Sequence, residues 1–291
     1  MTNPRIPFLL SDERPSVEPL DGKPLLVHIV VNVEQWSFDR PVPRALLPGP
    51  HGANAAPDIP NYSWAEYGMR AGMPRLLRAL AERDLPASAS INSAVITSYP
   101  RLAERILEAG WEFVGHGVEQ QSLQRVDDER AVIAAALDQI ERFTGTRPGG
   151  WLGPGLAENL GTLDILSELG VRYVFDWIVD DLPSWMDVTP GPMLSIPYSL
   201  EFNDSLLHAV ERLRSDELLH RVRDSLVILD RELPHQPRIL SIPLHPHLFG
   251  VPHRLVHLES VLDLLMARDD VRFVVGADIE SWYRKVDPPT V

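Results

Sequence analysis

The feature that most constrains the fold is a near-continuous run of branched apolar residues, Leu25–Val33, that ends in the polar residues Glu34 and Gln35. A strand with so few polar residues is buried on both faces, as in sheets that helices cover on both sides. Similar short apolar runs then alternate with helical patterns along the chain. Strands are predicted at 87–96, 111–114, 149–152, 171–177, 193–196, 238–244 and 271–275, and helices at 72–83, 100–109, 128–143, 160–169, 216–229 and 258–267.

Seven or eight strand and helix units favour a parallel α/β barrel or a doubly wound sheet. With 291 residues, of which 44% are hydrophobic, the chain can fill one large core. We therefore expect a single domain over residues 1–291. The segment 41–60 carries several prolines and glycines, and it is predicted to be a long loop of the kind that often forms a lid.

Composition excludes several classes of function. The chain has no cysteine, so disulfides, thiolate metal sites and cysteine nucleophiles are excluded. A formal net charge of −14 opposes binding to phosphate-rich nucleic acid. No apolar run is long enough to span a bilayer, and the first residues lack the apolar core of a secretory signal. We expect a soluble cytoplasmic protein with no nucleic-acid or membrane partner.

Polar residues follow several of the predicted strands. Glu34, His116, Trp151, Asp181 and His245 all lie at a strand's carboxyl end or in the loop just after it. In a parallel barrel these ends share one rim, where active sites lie, so their placement favours the barrel. A carboxylate that takes a proton from water and a histidine that gives one to a departing nitrogen are the minimum for hydrolysing an amide.

The sequence resembles the polysaccharide deacetylase superfamily, and within it the branch of allantoinase-like and cyclic-imide hydrolases. The resemblance extends from Val27 to about Trp282. It rests on these segments: Asn32-Val-Glu-Gln-Trp36, Glu66-Tyr-Gly-Met-Arg-Ala-Gly72, Gly115-His-Gly-Val-Glu-Gln120, Gly150-Trp-Leu-Gly-Pro-Gly155, Asp180-Asp-Leu-Pro-Ser-Trp185, Ile196-Pro-Tyr-Ser-Leu-Glu-Phe-Asn-Asp204 and Leu244-His-Pro-His-Leu-Phe-Gly-Val-Pro-His-Arg254. The resemblance implies a distorted (β/α)7-8 barrel and a hydrolase of non-peptide carbon–nitrogen bonds.

The family's first motif implies an acidic pair, in which one acid is the base and the other is a metal ligand. Here either Glu34 is the base and Gln35 replaces the ligand, or Glu34 is the ligand and Asn32 replaces the base. The family's His-x-x-x-His metal pair is reduced to His116 and Gln120. A carboxamide is a poor zinc ligand. The resemblance thus implies a degraded site of Glu34, His116 and Gln120 that binds a divalent ion such as zinc weakly, or none.

The resemblance also implies roles for residues outside the metal motifs. His245 matches the family's catalytic acid, and His247 and His253 are expected to flank it. Asp180 and Asp181 either cap a turn or orient His245. Trp36, Trp151 and Trp185 either wall the substrate pocket or fill the core. Arg70 either holds a substrate carbonyl or forms an internal salt bridge.

The implied substrate is a small cyclic or linear amide. Allantoinase-like proteins carry Gly-Trp-Tyr-Thr-Gly-Arg where this chain has Gly150-Trp-Leu-Gly-Pro-Gly155, so two polar donors are missing and allantoin itself is not expected. Deacetylation of an N-acetyl sugar and an inactive, ligand-binding relative are the alternatives. We expect a homo-oligomer that acts on a small-molecule amide.

Overall fold

The structure is a computed structural model that describes residues 2–44, 46–47 and 56–289. One nine-stranded sheet forms its centre. Its strands are β1 (Leu25–Val33), β2 (Ser88–Ile91), β3 (Glu112–Gly115), β4 (Gly150–Trp151), β5 (Tyr173–Val174), β6 (Ser184–Met186), β7 (Met193–Ser195), β8 (Arg238–Leu244) and β9 (Val271–Val274).

The strands follow the order β6-β7-β5-β4-β3-β2-β1-β8, and β9 also pairs with β1. Every pair is parallel except β6 and β7, which are antiparallel. Because successive strands twist in one direction, the sheet curls into a half barrel. The predicted α/β barrel fold, with its parallel strands, is confirmed.

Helices surround the curled sheet. They are α1 (Ile59–Tyr67), α2 (Met73–Ala81), α3 (Val95–Ser98), α4 (Pro100–Glu108), α5 (Glu129–Thr144), α6 (Thr162–Glu168), α7 (Glu217–Glu232), α8 (Pro246–Phe249), α9 (Pro252–Met266) and α10 (Gly276–Val286). Two π-helical turns, Gly68–Gly72 and Ser205–Val210, lie next to α2 and ahead of α7. Within the described ranges, no helix is both long and apolar enough to cross a membrane.

Strand β1 places two kinds of residue on its two faces. Its odd-numbered residues pack outward against the apolar sides of the helices, whereas Leu26 and Val30 pack inside the curl with Phe175 and Tyr198. Side chains alternate along a strand, so the inner face continues through Asn32 to Glu34. The burial of β1 on both faces thus determines which polar side chains enter the barrel.

Several element predictions were wrong in extent. The strand predicted at 171–177 is only Tyr173–Val174, and the helix predicted at 258–267 begins at Pro252. The strand predicted at 87–96 ends at Ile91, and α3 begins four residues later at Val95. The loop predicted at 41–60 ends before Ile59, because Pro60 fits the first turn of α1, where its missing N–H costs nothing. Residues 45 and 48–55 of that loop lie outside the described residues.

Candidate active site

The polar residues that follow three strands meet at one edge of the sheet. Glu34 follows β1, His116 follows β3 and His245 follows β8, and all three line one cavity of about 170 Å³, the inner cavity. Parallel strands bring their carboxyl ends to the same edge. The inner cavity is lined by Asn32, Glu34, Arg44, His116, Gln120, Leu152, Gly153, Gly155, Leu156, Tyr198, Leu200, Asn203, Ser205, Leu206, Val210 and His245.

A larger cavity of about 650 Å³, the outer groove, adjoins the inner cavity. Arg44, Gln120 and Gly155 line both of them. The remaining walls of the outer groove come from residues 35–37, 40–43, 119, 121, 122, 124, 125, 154 and 157. A ligand in the inner cavity can therefore extend outward along the groove.

His245 is held from two sides by a single buried carboxylate. Its ring Nδ1 lies 2.6 Å from Oδ1 of Asp204, and its backbone N–H donates to Oδ2 of the same residue at 2.6 Å. Asp204 is completely buried, just ahead of the turn Ser205–Val210. Because the carboxylate accepts the Nδ1 hydrogen, Nε2 of His245 is turned into the inner cavity.

Nε2 of His245 lies 3.4 Å from Oε1 of Glu34. Glu34 also accepts hydrogen bonds from Nε1 of Trp36 and Nε2 of Gln120, each at 2.9 Å. A carboxylate offers roughly four lone-pair positions. Three are directed at these neighbours, which leaves one position on Glu34 free to accept a hydrogen from water.

The surroundings separate the pKa values of Glu34 and His245. For Glu34, burial opposes ionisation, but the hydrogen bond and charge of His245 outweigh burial and hold the pKa well below its usual range. For His245, burial opposes protonation, but the carboxylates of Asp204 and Glu34 raise the pKa to about 9. At neutral pH the pair is therefore a carboxylate and an imidazolium, the charge states of a base and an acid.

His116 presents a bare nitrogen to the cavity. Its Nδ1 lies 2.6 Å from the carbonyl oxygen of Leu152, which can only accept, so Nδ1 carries the hydrogen. Burial lowers the pKa of His116, which keeps the ring neutral and makes Nε2 an acceptor. Among the described atoms, Nε2 of His116 and Oε1 of Gln120 are both buried without a hydrogen-bond partner.

The donor set does not fit zinc. Within the described ranges, no three His, Asp or Glu side chains are placed to hold one ion. Gln120 turns its amide nitrogen, a donor, toward Glu34, and the carboxylate of Glu34 is already engaged by Trp36 and His245. One imidazole and one carboxamide oxygen remain, which are too few for a tetrahedral site.

The segment Glu66 to Gly72 shapes the chain around His245 through its glycines. A Cβ on Gly68 would lie 2.4 Å from the backbone nitrogen of His247, and one on Gly72 would lie 2.0 Å from the carbonyl oxygen of Pro246. The turn Gly68–Gly72 thus contacts α8 backbone to backbone. Arg70 in the same turn is exposed and pairs with Glu66 at 2.8 Å, outside both cavities.

The three predicted tryptophans have different surroundings. Trp36 lines the outer groove and donates to Glu34, so it both walls the groove and holds the carboxylate. Trp151 is fully buried among residues of α5 and α6 on the outer side of the sheet. Trp185 lies on the edge strand β6, donates to the carbonyl of Asp287 at 2.7 Å and is covered by Arg284.

Asp181 also lies away from the cavity, which corrects its predicted position on the rim. Its carbonyl accepts from the backbone N–H of Ile239, at the amino end of β8. His245 follows the other end of this strand, about 20 Å away at roughly 3.3 Å per residue. Asp180 pairs instead with Arg14 at 2.6 Å. The residue that orients His245 is Asp204.

Five polar residues that line the inner cavity or hold His245 were not predicted as site residues: Asn203, Asp204, Tyr198, Ser205 and Arg44. The first three lie in or next to the segment Ile196 to Asp204, beyond β7. Tyr198 follows the strand by three residues, so the strand-end pattern could have identified it. Asp204 comes nine residues after Ser195, too far for that pattern, and only the buried ion pair reveals its role.

Comparisons with known proteins agree with this geometry. The family profile described as polysaccharide deacetylase matches residues 62–174. The peptidoglycan deacetylase of Helicobacter pylori is 24% identical over 274 residues, which cover 82% of this chain and 92% of the relative. PuuE allantoinase superposes with a TM-score of 0.83 at 25% identity, covering 96% of each chain. A probable polysaccharide deacetylase of Pseudomonas aeruginosa PAO1 superposes with a TM-score of 0.84 at 25% identity, covering 96% of this chain and 97% of its own.

Proposed function

Because this chain belongs to the polysaccharide deacetylase superfamily of carbon–nitrogen hydrolases, we propose that its substrate is a small cyclic or linear amide. The observation that carries the proposal is the buried pair of Glu34 and His245, whose pKa values are shifted in opposite directions at the wall of a small cavity. Such a separation is how one site holds a base and an acid at neutral pH.

The two residues divide the proton transfers between them. Glu34 takes a proton from water as the water oxygen bonds to the carbonyl carbon. His245 gives its Nε2 proton to the amide nitrogen as the carbon–nitrogen bond breaks. The products are a carboxylic acid and an amine for a linear amide, or a ring-opened molecule that carries a carboxylic acid and a primary amide or ureido group for an imide or a hydantoin. The 3.4 Å contact lets the proton return from Glu34 to His245, which restores both groups.

The polar lining of the inner cavity favours a substrate that carries N–H groups beside its carbonyl. Nε2 of His116 and Oε1 of Gln120 are buried acceptors without partners in the described chain, and an unpaired buried acceptor costs about 1–3 kcal/mol. Imides, hydantoins and ureides present N–H donors of this kind. Arg44 adds a guanidinium to the inner cavity, where it donates to the hydroxyl of Ser205. It comes from a different segment of the chain than the arginine of allantoinase-like proteins, which is absent at residues 150–155 here.

The size of the inner cavity also supports a small substrate. Pockets for drug-sized molecules occupy roughly 300–1,000 Å³. A cavity of about 170 Å³ accommodates a single small ring or an acetyl group.

The second candidate is deacetylation of an N-acetyl sugar. The outer groove favours it, because a sugar chain could occupy that groove while its acetyl group enters the inner cavity. The peptidoglycan deacetylase relative also supports it. The donor set that does not fit zinc argues against it, since without an ion the acetyl carbonyl lacks a Lewis acid.

The test is a hydrolysis screen of succinimide, hydantoin and N-acetylglucosamine oligomers on chelator-dialysed and zinc-loaded protein. We expect turnover of the imide or hydantoin, zinc content below one equivalent after dialysis, and no gain from added zinc. Turnover of the sugar alone would favour the second candidate. A protein that hydrolyses none of the three contradicts the proposal and favours an inactive, ligand-binding relative.

A further inference from the structure

Tyr198 places a buried hydroxyl in the inner cavity, and the acid and base steps proposed above do not use this hydroxyl. It follows β7 by three residues, and its ring stacks on Phe175 with centroids 6.3 Å apart and planes 12° apart. Only 2% of its surface is exposed. The stacking holds the phenol group at the wall of the inner cavity, which Glu34 and His245 also line.

The amide of Asn32 donates to the Tyr198 oxygen. Its Nδ2 lies 2.9 Å from that oxygen and 3.3 Å from the carbonyl oxygen of Leu244. A carbonyl can only accept, so the nitrogen end of the Asn32 amide must face this corner. Its second hydrogen is therefore directed at the phenol oxygen.

A second amide, that of Asn203, approaches the same oxygen. Its Nδ2 lies 3.4 Å from the Tyr198 oxygen, and its Oδ1 accepts from the backbone N–H of Ser205 at 2.9 Å. A backbone N–H can only donate, which fixes the orientation of the amide. Both lone pairs of the phenol oxygen thus face donors. No acceptor for its own hydrogen lies within bonding distance in the described part of the chain.

We propose that the Tyr198 hydroxyl donates its hydrogen to the substrate carbonyl and stabilises the oxyanion that forms on it. The inference rests on the proposed amide hydrolysis. Glu34, His116 and Gln120 offer acceptors to the cavity, and His245 serves the nitrogen. The carbonyl oxygen therefore needs a donor, and a zinc ion does not fit the site.

The donor stays protonated throughout the reaction. Burial and the nearby carboxylates raise the pKa of Tyr198, so it does not ionise at neutral pH. As the water oxygen bonds to carbon, the carbonyl electron pair moves onto oxygen, and the Tyr198 hydrogen bond shortens. When the carbon–nitrogen bond breaks, the pair returns to re-form the carbonyl, and the proton never leaves Tyr198.

The test compares Tyr198→Phe with Tyr283→Phe, which removes a buried hydroxyl bonded to Asp287 at 2.6 Å, far from the cavity. Loss of one oxyanion donor lowers kcat by about 10²- to 10³-fold, so we expect this loss for Tyr198→Phe with little change in KM. Tyr283→Phe should keep kcat. If the wild-type enzyme is active and Tyr198→Phe keeps its kcat, the inference about Tyr198 is overturned while the proposed function stands. That result would point to Arg44 as the donor.

Wild-type enzyme that turns over no amide contradicts the proposed function and this inference with it. Neutron diffraction on the wild-type protein tests the inference without turnover. We expect the Tyr198 deuterium to point into the inner cavity, with the deuterons of Asn32 and Asn203 on its oxygen. A Tyr198 deuterium directed at Glu34 or Asn203 overturns it.

Discussion

Three buried histidines at this rim show how neighbouring residues decide the charge of an imidazole. Burial lowers the pKa of His116, and burial with the charge of His245 lowers that of His247 to about 3. Burial acts on His245 in the same direction, but two carboxylates outweigh it and raise the pKa to about 9. The family resemblance predicts that His245 is an acid, and the carboxylate of Asp204 is a physical reason for its raised pKa.

The charge of His245 predicts the alkaline side of the rate profile. Because its pKa is raised, the imidazolium is present at neutral pH and is lost as the pH rises through about 9. We expect kcat to fall on the alkaline side near that pH. The acidic limb belongs to Glu34 and lies below the ordinary range of a carboxylate, because its pKa is lowered. A kcat profile measured between pH 4 and pH 10 should therefore show an alkaline limb near pH 9 and no acidic limb, and an alkaline limb near pH 6.5, the ordinary value, contradicts the assignment.

Replacing Asp204 by Asn should remove the proton that His245 donates. The side chain keeps its shape but loses the charge that raises the pKa of His245, and burial then favours the neutral ring. We expect kcat to fall by about 10²- to 10⁴-fold, as for other misprotonated catalytic histidines, and the alkaline limb to move to lower pH. Asp181→Asn is the matched control, since Asp181 lies at the far end of β8. If the two variants have the same dependence of kcat on pH, Asp204 does not control the pKa of His245.

At the scale of elements, the position of His245 depends on the contact between the turn Gly68–Gly72 and α8. A Cβ on Gly250 would meet the backbone of Gly72 at 2.3 Å, so glycine is required on both sides. This close approach gives the segment Glu66 to Gly72 a structural role beside the segment around His245. Neither of its charged residues, Glu66 and Arg70, lines a cavity.

Gly72→Ala should displace α8 and with it His245. The new Cβ would lie 2.0 Å from the carbonyl oxygen of Pro246, a backbone atom that cannot move aside alone. We expect a loss of about 1–3 kcal/mol in the free energy of unfolding, as for other overpacked cores, together with lower kcat. Gly161→Ala is the control because its Cβ would meet nothing within 4 Å. Urea denaturation and kinetics of both variants check this, and equal stability would show that the contact is not tight.

For the molecule as a whole, the fold could be predicted because local patterns of apolar residues indicate its strands and helices. The strands Leu25–Val33 and Arg238–Leu244 were predicted with the bounds that the structure has, since both are continuous apolar runs. The proposed catalytic residues follow their carboxyl ends. Glu34 and His245 therefore meet as the strand-end argument requires.

The rest of the site depends on distant parts of the chain that no local pattern specifies. Asn203 lines the cavity and Asp204 bonds His245, and both lie in a segment beyond β7 that has no periodic signal. Asp181 resembled a rim residue because it follows β5, but the chain there passes to the amino end of β8 and then to the antiparallel edge strand β6 before it returns. Predicting that path requires the packing of the whole barrel.

The central claim is that Glu34 activates water, and the most direct measurement is kcat/KM of Glu34→Gln on the substrate that the screen identifies. Gln keeps the shape and most hydrogen bonds of the side chain but cannot take a proton. We predict a loss of about 10²- to 10⁴-fold with the fold retained, the usual contribution of a general base. Glu66→Gln, which changes only a pair with the exposed Arg70, should stay at the wild-type value. Near-normal turnover by Glu34→Gln would contradict the account.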